Sequence, residues 1–422
     1  MQAMYDLYMT WPVWLRELAI KGAFAGAAMG FVSLLAMFSI WLERKVSGDI
    51  QNRMGPMRVG GWHGWAQSMA DGIKLISKED LIPTGADHLL FRLAPYLAFV
   101  PVYAAFMVLP WSRDLSVLSG SWNVGIFFIL AMLGLEVLGV IIAGWASNNK
   151  WSIYGAMREA CQMVSYEIPL GLAIICAVMV AGTLNFTTIS LQQGAGLHVW
   201  KLFHDPFNFI AFILYFVAAL ASCKRAPFDL PESESELVAG FHTEYSGMRF
   251  GFFFFAEYAG MFIVSAIQVC LWLGAWYDPF GIIAGMEAAS RGTDGTINWP
   301  MLLGANGLGL ALFIGKSFLL VWVQIWIRWT LPRIRIDQVL YACVKVMLPI
   351  AVVNLMAAAV YMWLMEDLPT VRFGVQIGLM VVGVGVVLLM VATVIRGILL
   401  RPTATAYVMF PNKYPLHKLP GA

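Results

Sequence analysis

Apolar residues run along this chain in long unbroken stretches separated by short polar segments. Nine stretches, at 19–42, 91–110, 123–146, 163–182, 207–223, 250–275, 301–330, 345–364 and 372–397, come near the length of helix that crosses a bilayer core roughly 30 Å thick. They show no period-2 alternation, which favours helices over a transmembrane barrel. The expected fold is therefore an all-α polytopic membrane protein, a single helical domain over 1–422. The first stretch is followed by the polar run Glu43 to Arg53 and not by a small-residue cleavage site, so it reads as a retained span and not a signal peptide.

Composition strengthens this picture. Of 422 residues, 60% are hydrophobic and only 12% charged, with a mean hydropathy of +0.74, too apolar for an ordinary water-soluble globule. The net charge of +2 points to no nucleic-acid partner, but the distribution of cations is informative. With the amino terminus outside, the inner segments hold Arg44, Lys45, Arg53, Arg58, Lys74, Lys78, Lys150, Arg158, Lys224, Arg225, Arg249, Arg333, Arg335 and the cations of the tail; the outer ones hold chiefly Arg16, Arg113, Lys201, Arg291 and Arg372. That bias sets the orientation. The outer loops, 111–122, 183–206 and 276–300, are chemically bland and read as connections.

Cys161, Cys176, Cys223, Cys270 and Cys343 show no C-x-x-C spacing, which argues against an iron–sulfur cluster or a disulfide framework. None of the six histidines falls inside an expected span, so haem ligated by two histidines within the bundle is not expected.

Three inner segments concentrate the polar chemistry. In the first, Glu43-Arg44-Lys45 leads to a Gly55-Pro56 turn, and then Trp62, Trp65, Ala66, Met69, Ala70, Ile73 and Ile76 recur at helical spacing with Asp71, Lys74 and Lys78 opposite. That pattern predicts an amphipathic helix over 62–77 in the membrane interface. It serves either as an anchor or as the lip of an opening for a lipid-soluble substrate. The second segment, 148–167, places Glu159, Met163 and Glu167 on one helical face; the acids either offset a helix dipole or act near the hydrocarbon edge. The third, 224–249, is densest in charge. Asp229 has the position of an N-cap with Pro231 in the first turn, followed by Glu232, Glu234 and Glu236, and later by Glu244. A solvated charged face is the plain alternative.

Glu136, Glu257 and Lys316 lie inside expected spans, where a charge near the bilayer centre costs roughly 2.5–3.5 kcal/mol and needs a partner. Glu257 with Lys316 is one candidate pair.

The stretches Glu43 to Gly60, Ala70 to Pro83, Gly144 to Leu170, Arg225 to Gly247, Phe255 to Ala259 and Leu331 to Leu340 resemble the family of the quinone-site membrane subunit, the H subunit, of NADH:quinone oxidoreductase, respiratory complex I. The resemblance implies eight core spans plus an additional C-terminal one at 372–397, in the cell inner (cytoplasmic) membrane. It also implies a quinone cavity shared with hydrophilic subunits, contacts with other membrane-arm subunits, and quinone (ubiquinone or menaquinone) as substrate, with no flavin, haem or iron–sulfur cluster held by this chain. By resemblance, Arg44, Arg53, Arg58, Asp71, Lys74, Arg225 and Asp229 line or support the cavity, while Glu136, Glu159, Glu167, Glu232, Glu234, Glu236, Glu244 and Glu257 link it to proton translocation.

Many relatives carry a Glu shortly before the loop arginine, where this chain reads Ser222-Cys223-Lys224-Arg225. That departure makes Ser222 the weak point of an acidic path. The alternatives are the equivalent subunit of a membrane-bound hydrogenase and a stand-alone ion transporter; the latter is disfavoured because no internal repeat is visible.

Overall fold

The structure, a computed structural model, describes residues 12–116, 122–194, 196–290 and 298–399. Described residues form helices and loops with no strand. The principal helices are α1 (Val13–Ile50), α2 (Gln67–Ser77), α3 (His88–Phe106), α4 (Gly125–Ala146), α5 (Lys150–Ala181), α6 (Phe186–Leu191), α7 (Pro206–Ser222), α8 (Gly247–Trp272), α9 (Ile282–Ser290), α10 (Trp299–Thr330), α11 (336–364, with a π-helical stretch at Tyr341–Met347) and α12 (Pro369–Leu399). Each of the nine apolar stretches falls on a helix. Among the described residues seven helices, α1, α3, α4, α5, α8, α10 and α11, are long and apolar enough to cross a membrane. The fifth expected span is the 17-residue α7, only about 26 Å long at 1.5 Å per residue, and the ninth lies on α12, whose apolar part is Thr370–Val386.

Local signals set several ends. Asp87 accepts from the backbone N–H of Leu89 and Leu90 to start α3, Asn149 caps α5 through Trp151, and Asp205 with Pro206 opens α7. α5 stops at Gly182, whose φ of 68° suits a residue without a side chain.

The central post is α8, in which every residue from Ala256 to Trp272 is buried. A helix apolar on all sides is covered on all sides. Around it, α3 and α4 approach closely where Gly139 meets backbone: a Cβ there would lie 2.5 Å from the Ala98 nitrogen and 2.8 Å from the Leu97 carbonyl carbon.

Several local expectations are corrected. The run Glu43-Arg44-Lys45 is not loop but the last turns of α1, because Glu43 and Ser47 are buried against neighbours that satisfy them. Segment 148–167 is almost entirely the first half of α5, joined to α4 by a tight turn at Asn148. No helix starts at Asp229; before α8 begins at Gly247 the segment 224–249 is irregular apart from short turns at Glu234–Leu237 and Gly240–His242, with Lys224, Val238 and Gly240 at positive φ, and Asp229 instead pairs with Arg333 at 3.1 Å. The helix expected over 62–77 begins only at Gln67, since Gly60, Gly61, His63 and Gly64 all adopt positive φ and form a separate turn. Arg291 lies outside the described residues.

Overpacking the α3–α4 contact should be costly, because the obstacle at Gly139 is backbone and cannot rotate away. Gly139→Ala is expected to destabilise the protein by about 1–3 kcal/mol, read as a lower melting temperature in detergent; an unchanged transition would show that the two helices separate freely.

Candidate functional site

Site geometry begins with two consecutive cations just beyond α7. Lys224 adopts φ 54°, a strained value for a residue with a side chain, and Lys224 and Arg225 engage different sets of acids. Arg225 donates to Glu43 of α1 at 2.9 Å, lies 2.6 Å from Glu257 of α8, and stacks its guanidinium 4.3 Å from the centre of the Tyr258 ring. The Tyr258 hydroxyl donates to Glu43 at 2.7 Å, and Arg328 of α10 donates to its other oxygen at 2.6 Å. Lys224 lies 3.2 Å from Glu136 of α4 and 3.4 Å from Glu159 of α5. All of these groups except Arg328 are buried.

The electrostatics follow from that enclosure. Burial alone would lower the Lys224 ammonium, but Glu159 and Glu136 outweigh it and hold its pKa above the ordinary lysine range. Arg225 is treated the same way by Glu257 and Glu43. His242, 2.9 Å from Glu232 and packed against Phe241, is pushed down to about 3 by burial, so it is neutral at physiological pH.

A cavity of about 590 Å³ opens between α1, α2, α8 and the end of α10. Met37, Ile40, Leu75, Phe250, Phe254 and Phe255 supply an apolar wall; Glu43, Arg44, Asp71, Lys74, Tyr258 and Arg328 supply polar groups. Arg44 pairs with Asp71 at 2.6 Å, with Lys74 3.7 Å away, joining α1 to α2. On α2, Met69, Ile73 and Ile76 are exposed and face the open side of this cavity. Such a space, mostly apolar with a few convergent polar groups, has the form of a small-molecule site.

Of the seven residues expected at a cavity, Arg44, Asp71 and Lys74 line it. Arg225 stands behind Glu43 and reaches the wall only through it, Asp229 is held by Arg333, and Arg53 and Arg58 are exposed on the loop after α1, Arg53 bonded to Gln51 at 2.6 Å. Among the acids, Glu136, Glu159 and Glu257 are gathered near the paired cations. Glu236 pairs with Arg158 at 2.6 Å, Glu244 accepts from Asn149 at 2.6 Å, and Glu232 meets His242. Glu167 is exposed while Glu159 is buried: eight residues advance a helix by about 80° beyond whole turns, enough to separate positions that share a face nominally. The side chain of Glu234 lies outside the described residues.

Lys316 does not pair with Glu257. It donates to the carbonyls of Leu273, Ala275 and Tyr277 at 2.7, 3.0 and 2.6 Å, closing the carboxyl end of α8. The outer segments are also less bland than expected, since Arg113 pairs with the buried Glu287 at 2.8 Å and Asp278 caps α9. Glu43 and Arg328 are the functional candidates missed from sequence. Each carries a signal, as Glu43 directly follows an apolar stretch and Arg328 lies within one. Among the described residues no three His, Cys, Asp or Glu side chains are grouped to hold a metal ion.

Apolar helices long enough to span a bilayer, packed around buried ion clusters, define a multi-pass membrane protein. The family model described as NADH dehydrogenase matches residues 24–359, from α1 to near the end of α11. The chain is 44% identical over 340 residues to the H subunit of NADH-quinone oxidoreductase from Chlorobaculum tepidum, covering 80% of this chain and 91% of the relative. It is 42% identical over 362 residues to the corresponding NADH-quinone oxidoreductase protein of Anaeromyxobacter dehalogenans, covering 85% and 84%, and 42% identical over 356 residues to one from Cytophaga hutchinsonii, covering 78% and 96%. The chain belongs to the NADH dehydrogenase family.

Removing one partner from a buried ion cluster leaves uncompensated charge, at a cost of about 3–5 kcal/mol. Arg225→Met is therefore expected to deplete the chain from assembled membrane complexes, and pairing Arg225→Gln with Glu257→Gln should restore part of it. Immunoblots of native gels would measure both, and full assembly of Arg225→Met would contradict the arrangement.

Proposed function

We propose that this chain is the quinone-site membrane subunit of a proton-translocating NADH-quinone oxidoreductase of the complex I type. The observation that carries the reading is the cavity beside α2, because the carboxylate on its wall, Glu43, is in direct contact with Arg225 and through it with Glu257. The relatives' shared name, which makes each of them part of an NADH-quinone oxidoreductase, supports quinone chemistry over the hydrogenase alternative.

In this reading a quinone headgroup rests between the phenylalanines of α8 and the polar groups of α1 and α2. The exposed apolar residues of α2 lie in the membrane interface and frame the mouth through which the isoprenoid tail reaches lipid. Reduction takes two electrons and two protons and yields quinol. The electrons come from hydrophilic partner subunits, and other membrane-arm subunits receive the coupling. A change of charge at the headgroup acts on Glu43 and Arg225 across a low-dielectric interior, where such interactions are strong. The Arg225 cluster passes that change toward Glu136 and Glu159.

The proposed arrangement has eight core spans, with α7 as the short one, and α12 as an additional C-terminal span. It lies in the cell inner membrane with the amino terminus outside, as the excess of Lys and Arg on the Glu43 side supports. Arg53 and Arg58, on the same side as the cavity, and the exposed Glu236 are then available to the hydrophilic partners.

Asp71 tests this reading, because it holds Arg44 beside the cavity without belonging to the buried clusters. Asp71→Ala should lower NADH:quinone reductase activity of the assembled complex about tenfold, the scale of one lost hydrogen bond to a charged group. Reduction of a hydrophilic artificial acceptor should be unchanged. Equal loss with both acceptors would instead indicate failed assembly, and no loss with quinone would remove Asp71 from the site.

A further inference from the structure

The α2 helix is fastened at two places, to two different helices. Asp71 in its middle pairs with Arg44 of α1 at 2.6 Å. The chain leaving its carboxyl end is held on the first turn of α8. There the Ser246 hydroxyl donates to the Glu79 carbonyl and accepts from the Leu81 N–H, each at 3.2 Å, and Arg249 pairs with Asp80 at 2.8 Å. Gly247, at φ 59°, lets the two backbones meet: a Cβ on it would lie 3.1 Å from the Lys78 carbonyl oxygen.

This second attachment sits at one edge of the cavity. The residues of α8 that follow, Phe250, Gly251 and Phe254, line the cavity, and so do Leu75 and Ile76 of α2. The two helices touch where a Cβ on Gly251 would lie 3.3 Å from the Leu75 Cδ1, while Ile76 is exposed on the open side. Ser246 and Arg249 themselves do not line the cavity; they reach it only through the end of α2 that they hold.

We propose that Ser246 and Arg249 are positioning residues for the quinone tail: by holding 79–81 on α8 they fix Leu75 and Ile76 at the cavity mouth and so set how firmly a long isoprenoid tail is gripped. The inference rests on the quinone reading of the cavity. Isoprene units against Leu75, Ile76 and the phenylalanines of α8 contribute binding through buried apolar surface, and that grip is the same before and during reduction of the headgroup. Losing such uniform binding raises KM and leaves kcat alone. It acts only on a tail long enough to occupy the mouth.

The Arg249–Asp80 pair is partly exposed and weak by itself, so the informative variant combines Ser246→Ala with Arg249→Ala. In the assembled complex this double variant should raise KM for a long-tailed quinone about fivefold, the scale of one lost hydrogen bond, with kcat at the parental value. KM for a short-chain analogue of the same headgroup, and reduction of a hydrophilic artificial acceptor, should not change. Asp80→Ala should replace Arg249→Ala with the same result, and Ser246→Thr with Arg249→Lys, which keeps the hydroxyl and the charge, should restore the parental KM. A parental KM for the long-tailed quinone in the double variant, an equal rise for the short-chain analogue, or a loss confined to kcat would overturn the proposal. A quinone with a photoreactive group on its tail separates the two levels. If it labels neither α2 nor α8 in the parental complex, the quinone reading of the cavity fails, whereas labelling there beside a parental KM in the double variant defeats only the positioning role.

Discussion

Arg225 imposes the constraint on which most of the structure depends. A guanidinium with about 1% of its side chain exposed cannot shed its charge, and an unpaired ion in such a place costs several kcal/mol. It has to be met by fixed acids, and the two that meet it come from helices far apart in sequence, Glu43 of α1 and Glu257 of α8. Arg328 brings in α10 through Glu43. Three helices are thereby registered against one another at a single level. This explains why α1 continues through Glu43, Arg44 and Lys45 where the sequence suggests it should stop: ending it earlier would remove Glu43 from the cluster.

The same constraint shapes the loop after α7. Consecutive residues serve separate sets of acids, and the positive φ at Lys224 is the backbone's way of turning between them. The strain this costs is offset by the ion pairs on both sides. Lys224 thus ties α4 and α5 to the loop that ties α1, α8 and α10 together, and the buried face of α8 lies between the two groups. The cavity is a by-product of this bracing. Between α1, α8 and the α2 helix that the Arg44–Asp71 pair ties to α1, space remains beside Glu43 that side chains do not fill.

Helix positions are legible in the sequence because hydrophobic length is a one-dimensional signal, and all nine apolar stretches lie on helices. Helix ends are less so. α1 and α5 run on through polar residues satisfied by partners distant in sequence, a tertiary fact that no local pattern carries. The irregular segment 224–249 illustrates the reverse case: Asp229 and Pro231 look like a helix start, but Asp229 is engaged by Arg333, 104 residues away. Among the site residues, Glu136, Glu159 and Glu257 stand out because charges in apolar surroundings need a reason. Their partners do not, and the expected pairing of Lys316 with Glu257 fails because Lys316 satisfies backbone carbonyls, which every sequence offers and none advertises. Glu43 and Arg328 escape notice by sitting at the ends of apolar stretches, where charged residues are ordinary.

Charge arithmetic distinguishes the two clusters and gives the proposed path a direction. Glu43 and Glu257 face Arg225 and Arg328, so that group is balanced when all four are ionised. Glu136 and Glu159 share only Lys224, and their group is neutral only when the two acids together hold one proton. A low-dielectric interior favours neutrality in both places. Adding negative charge at the cavity beside Glu43 unbalances the first cluster, and a proton moving into it from the second restores neutrality there while leaving the second with a deficit. In the proposed function, that deficit would be an electrostatic demand for a proton at Glu136 and Glu159, the partners of Lys224.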